Sequence, residues 1–119
     1  HRQFYQDLFI TLSNRIVRLQ GKDGYWHASL LDPDSYPSPE TSATGFIVYA
    51  LAYGVNEGLL DKTVMMPAIE KVKAVEKDGK LGYVQPIGAD PKKVTREMTE
   101  VYGVGAFLLA GNQIYKMVP

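Results

Sequence analysis

A chain of 119 residues is long enough for one domain with a hydrophobic core. Its 45% hydrophobic and 22% charged residues exclude a disordered polymer, and no apolar run is long enough to span a membrane. Thirteen basic residues balance thirteen acidic ones, which removes the basic surplus of a nucleic-acid or anionic-membrane partner. The absence of cysteine excludes disulfides and thiolate zinc sites and leaves the compartment open.

The opening His1-Arg2-Gln3-Phe4-Tyr5 has no initiator methionine and no signal-peptide pattern, and reads as a helix already in progress. The expectation is a chain that continues upstream. In residues 2–19, Phe4, Leu8, Leu12, Ile16 and Leu19 form the apolar stripe of an amphipathic helix, with Gln3, Gln6, Asp7, Asn14, Arg15 and Arg18 on the other face. Gly21 and Gly24 stop it. A second helix starts near Ser38-Pro39-Glu40-Thr41, with Ser38 as N-cap and Pro39 in the first helical position. Its body, residues 45–55, is apolar on nearly every side and therefore expected to be buried all round, and Gly58 closes it. Asp61 caps a third helix carrying Val64, Met65, Ala68, Ile69, Val72 and Val75 against Glu70, Lys71, Lys73, Glu76 and Lys77. Pro67 lies in its first turn or kinks it. The fourth helix, roughly residues 99–116, again has an apolar body.

Lys22-Asp23-Gly24 recurs as Lys77-Asp78-Gly79 after 55 positions, and a short extended piece follows each stop. One amphipathic and one buried helix per unit is the pattern of stacked helical hairpins, expected here as 1–60 and 61–119 of one partial domain. Buried helices form an inner layer, and amphipathic ones an outer layer. Such repeats run on as a solenoid or close into a ring. Two alone leave apolar ends exposed, through which the chain can self-associate.

Four motifs then occur in order: Gly24-Tyr25-Trp26-His27, Pro39-Glu40-Thr41-Ser42-Ala43-Thr44-Gly45-Phe46, Gly58-Leu59-Leu60-Asp61, and residues 102–110 from Tyr102-Gly103-Val104-Gly105 onward. This succession resembles the C-terminal part of the unsaturated rhamnogalacturonyl hydrolases of glycoside hydrolase family 105, close to the unsaturated glucuronyl hydrolases of family 88. The resemblance covers essentially the whole chain and about the last third of such an enzyme. It implies an all-α fold, helical-hairpin repeats forming part of an (α/α) six-hairpin barrel or toroid. It also implies an oligosaccharide substrate from which a 4,5-unsaturated uronic acid is removed at the non-reducing end. An aspartate protonates the vinyl-ether double bond, water adds, and the hemiketal collapses. That aspartate belongs to none of the matched motifs, so no catalytic residue is assigned here and the chain alone is expected to be inactive. No metal or cofactor is implied.

Six residues are candidates for substrate binding. Trp26 is either a stacking platform for a sugar ring or a core aromatic. His27 either bonds a substrate group or is a neutral histidine satisfied by backbone. Glu40, Thr41 and Ser42, with Thr44 behind them, open an inner helix whose N–H groups and hydroxyls either face a cavity and take an anionic sugar or serve as plain caps. Tyr102 holds the equivalent place on the last helix, where many relatives carry histidine; a phenol can still donate a hydrogen bond. Asp32 and Asp34 read as a solvated turn-rich loop. Lys92, Lys93 and Arg96 are too few for a nucleic-acid stripe. The rival readings are a non-catalytic helical-repeat module that binds another protein, and a piece of another (α/α) toroid enzyme such as a sugar epimerase.

Overall fold

The computed structural model describes residues 1–73 and 78–118. Among them are four α-helices: α1 (Arg2–Val17), α2 (Thr41–Asn56), α3 (Lys62–Glu70) and α4 (Val101–Tyr115). Short 3-10 turns at Pro33–Ser35 and Pro91–Lys93 punctuate the two long connections. No described helix is long and apolar enough to cross a membrane.

Helices α2 and α4 form the inner pair. They approach closely because small residues meet: a Cβ on Gly45 would lie 3.1 Å from that of Ala106. At the other end the Asn56 amide donates to the backbone and side-chain oxygens of Gln113, both at 2.9 Å. α3 packs on α2 from outside. Val48, Leu51, Ala52, Met65, Ala68, Ile69 and Ala110 form a core around the indole of Trp26.

Helix α1 buries a face beside the expected one, and Ile16 belongs to both. Phe4, Leu8 and Leu12 are 64%, 43% and 50% exposed, whereas Phe9, Ile10, Ile16 and Val17 pack on the core and Ser13 is buried. At about 100° per residue, 9, 13, 16 and 17 lie on an arc next to that of 4, 8 and 12, and this neighbouring arc is the one turned to the core. Phe9 lies against the bare backbone of Gly54 on α2.

Three further expectations are corrected. Ser38 does not cap α2, and Pro39 is not its first residue. Pro39 pairs in an antiparallel bridge with His27, and the extended Glu40 caps the helix, its carboxylate accepting from the N–H groups of Ser42 and Ala43. α3 ends at Glu70, short of the expected run. The Gln20 side chain takes the Ala68 carbonyl at 2.8 Å and the Tyr25 hydroxyl takes that of Lys73, so the loop after α1 satisfies the end of α3. Gly24, at φ +91, allows this approach, since a Cβ there would lie 2.4 Å from the Lys71 carbonyl oxygen. Val75, Glu76 and Lys77 lie outside the described residues. Pro67 falls beyond the first turn, inside the helix, where it supplies no N–H. Finally, α2 and α4 are not buried all round, because Phe46, Tyr53, Val101 and Leu108 are exposed on the sides they do not offer each other. Asp61 caps α3 as expected.

Both extended segments dock at the start of α2. The Trp26 N–H donates to the Thr44 hydroxyl at 3.1 Å, while Thr41 donates through its N–H to Tyr83 and through its hydroxyl to Gly82. Tyr83 is held at φ 56, a left-handed conformation costly for a non-glycine residue. Val84, fully buried, seats its side chain where Gly103 of α4 has none. The N-termini of α2 and α4 and two loops thereby converge on one end of the molecule.

Candidate functional site

At that end lies a cleft of about 560 Å³. One wall is the segment after Trp26, with His27 and Leu30; the floor is the first turns of α2, with Glu40, Ser42 and Ile47; the far wall is loop 85–91 and Tyr102. Four of the six candidates, His27, Glu40, Ser42 and Tyr102, are therefore brought together across 75 residues of chain. A cleft of about 640 Å³ on the other side of His27, bounded by Arg18, Lys22, Asp23 and Asp34, gathers none of the remaining candidates.

Trp26 and Thr41 stand apart. Trp26 is 0% exposed, and its Nε1–H donates to the Ile16 carbonyl at 2.8 Å, so its faces are covered by core and not open to a sugar ring. Thr41 is buried with its hydroxyl on Gly82 and anchors the 81–84 segment. Both build the site from behind.

The hydrogen bonds of the other four are made within the protein. Ser42 Oγ donates to Glu40 Oε1 at 2.7 Å, and Ala43 N–H donates to Oε2 at 2.6 Å. The positive end of α2 thus already holds an anion of the chain's own, which removes the expected open cradle for an anionic sugar. His27 places Nδ1 3.0 Å from the Tyr36 carbonyl and Nε2 3.1 Å from the Asp23 carboxylate, so a neutral ring donates to one of these oxygens and an imidazolium to both. The Tyr102 hydroxyl donates to the Gln85 carbonyl. What Ser42, Glu40 and Tyr102 retain towards the cleft is oxygen lone pairs, which accept from hydroxyls. No lysine or arginine lines the cleft among the described residues.

Loop 85–91 was absent from the sequence candidates. Ala89 N–H donates to Pro86 O at 3.0 Å across Ile87 and Gly88, with Gly88 at φ +75, which makes a type II turn with Ile87 at its tip. The Gln85 side chain closes on Ala89 O, and Lys92 lies over the Tyr36 ring at 5.1 Å, tying this loop to the one that holds His27. The available signal was Pro86-Ile87-Gly88, a turn sequence with an apolar tip. Asp32 and Asp34 are exposed in their loop. The carboxyls held below their ordinary values are outside the cleft. Asp61 is lowered by its hydrogen bonds from the Thr63 hydroxyl and N–H, and Glu97 by its own backbone and the Thr95 hydroxyl, with Lys80 and Arg96 adding less.

The chain is similar to known proteins in sequence and in fold. An unsaturated 3S-rhamnoglycuronyl hydrolase of Formosa agariphila is 45% identical over 98% of the chain and 32% of its own length. One of the same name from an Alteromonas species is 41% identical over 92% of the chain and 28% of its own length. Among solved structures, a glycosyl hydrolase family 88 protein of Bacteroides vulgatus superposes with a TM-score of 0.91 at 36% identity, covering 98% of this chain and 36% of that one. A second, named as a polysaccharide lyase, gives 0.90 at 43% identity over 98% and 35%. The chain spans about a third of the length of these relatives. It has the all-α helical-hairpin fold of part of an (α/α) toroid, and with residues 1–118 matching Glycosyl Hydrolase Family 88, it belongs to that family.

Proposed function

We propose that the complete protein carrying this chain removes 4,5-unsaturated uronic acid from the non-reducing end of lyase-generated oligosaccharides. Protonation of the vinyl-ether double bond, addition of water and collapse of the hemiketal release the sugar. The relatives named as unsaturated 3S-rhamnoglycuronyl hydrolases support the reaction type. The observation that carries the site is the convergence of His27, Glu40, Ser42 and Tyr102 on one cleft. In this reading they shape the cleft and accept from sugar hydroxyls, while the catalytic acid lies upstream of residue 1. Glu40 is committed to the α2 cap and is not that acid. The 119-residue chain is inactive alone. The test is consumption of an unsaturated uronyl disaccharide, followed by loss of the double bond's ultraviolet absorbance. The complete protein is expected to consume it, and the 119-residue chain is not. Turnover by the short chain would overturn the second statement, and an inert complete protein the first.

A further inference from the structure

The imidazole of His27 lies between two loops, and each ring nitrogen meets an oxygen acceptor: Nδ1 the Tyr36 carbonyl, Nε2 the Asp23 carboxylate. Each oxygen is fixed by its own loop. Asp23 Oδ1 accepts from the Tyr25 N–H at 3.1 Å, and the Tyr36 N–H donates to the Pro33 carbonyl at 3.0 Å. Gly21 leaves the space that the pair fills, since a Cβ there would lie 2.5 Å from Asp23 Oδ1 and 3.0 Å from His27 Nε2. Arg18, Lys22 and Asp34 share the space on one side of the ring, and Glu40 and Tyr102 on the other, with Asp23 the carboxylate in contact. An imidazolium has an N–H for each oxygen, and a neutral ring has one for the two. When one proton remains, the carboxylate keeps it, because a hydrogen bond to an ionised acceptor is the stronger. Nδ1 then turns a lone pair towards the Tyr36 carbonyl, and that contact repels.

We propose that His27 is a pH-responsive latch on the loop of residues 28–37. Histidine is the side chain that ordinarily changes charge between about pH 5 and 8. At the acid end the imidazolium ties Tyr36 to Asp23 through the ring. As pH rises and the proton leaves, the Tyr36 contact is lost and the loop loosens. Ala28 and Leu30 of this loop line the cleft at the start of α2, so KM rises with pH, a consequence that rests on the function proposed above.

Hydrogen–deuterium exchange of the complete protein, read by mass spectrometry on peptides within residues 28–36, tests the latch. Rates are taken at about pH 5.5 and about pH 8, corrected for the intrinsic effect of pH on exchange, with α2 as internal reference. Protection of this segment in the unaltered protein is expected to be about tenfold lower at the higher pH, the scale of one hydrogen bond. Asp23→Asn, equal in shape, is expected to remove the difference. Its Oδ1 keeps the Tyr25 N–H, while its Nδ2, in the place of Oδ2, donates to the neutral ring and leaves Nδ1–H for Tyr36. KM for an unsaturated uronyl disaccharide should rise with pH in the unaltered protein and less in Asp23→Asn. Protection that does not fall with pH, or a fall of the same size in Asp23→Asn, overturns the latch. A fall in protection with KM unmoved overturns only its effect on the cleft. An inert complete protein overturns the proposed function, and the exchange rates still decide the latch.

Discussion

The indole of Trp26 has its ring faces in the core and its N–H on Ile16, whereas the phenol of Tyr102 reaches the rim of a cleft. In the sequence both were candidates for substrate, Trp26 as a stacking platform or a core aromatic and Tyr102 as a hydrogen-bond donor at the start of the last helix. The difference is decided by Gln20, Gly24 and Tyr25, which lash the loop around Trp26 to the end of α3 and draw the ring inward. Trp26→Ala is therefore expected to cost about 3–5 kcal/mol of stability. The milder Trp26→Phe should lower the denaturation midpoint of the complete protein without raising KM. A raised KM at an unchanged midpoint would mean that the ring reaches substrate after all. His27 and Ser42 were legible as candidates, but the direction of their hydrogen bonds was not, because Asp23, Tyr36 and Glu40 take those bonds only once the loops have folded together.

At the level of elements, the existence of four helices was legible from period and punctuation, and their ends and faces were less so. Glu40 displaces Ser38 as cap because the strand-like pairing of Pro39 with His27 keeps the chain extended one residue longer. α3 stops early because carbonyls near its end find partners on another loop. Gly103 illustrates how a helix position is set by a neighbour. Placing alanine there gains about 1 kcal/mol of helix propensity, yet the new methyl would lie 2.6 Å from the Val84 side chain. Val84 is fully buried and cannot retreat, so overpacking at about 1–3 kcal/mol is the larger effect and Gly103→Ala should destabilise. Urea titration of Gly103→Ala, Val84→Ala and the double variant checks the cause. The double variant should be less unstable than the sum of the singles, and strict additivity would refute a clash between these two side chains.

On the scale of the molecule, large apolar side chains stand exposed along α1 and α4, among them Phe4, Leu12, Val101 and Leu108. Large exposed apolar side chains of this kind promote association in water. The 119-residue chain in isolation is accordingly expected to self-associate, with a sedimentation mass that rises with concentration. Phe4→Asp with Leu12→Asp should lower that mass, since both residues lie outside the core. A sedimentation mass equal to one chain at every concentration would contradict this expectation.

Sequence alone determined what depends on neighbours along the chain: helical hairpins from periodicity, the Asp61 cap, and the family from four ordered motifs. It also named four residues that share one cleft. Tertiary structure decided what depends on residues far apart. Only packing sets Phe9, Ser13, Ile16 and Val17 as the buried side of α1, since the row Phe4, Leu8, Leu12 and Ile16 is the more apolar of the two in sequence. Only the meeting of Tyr102 with Gln85 sets Ile87 at the lip, and only Glu40's own carboxylate shows that the helix end is already occupied. Hydrogen-bond partners and burial are properties of pairs separated by up to 57 residues here, and no local pattern encodes which pair will form.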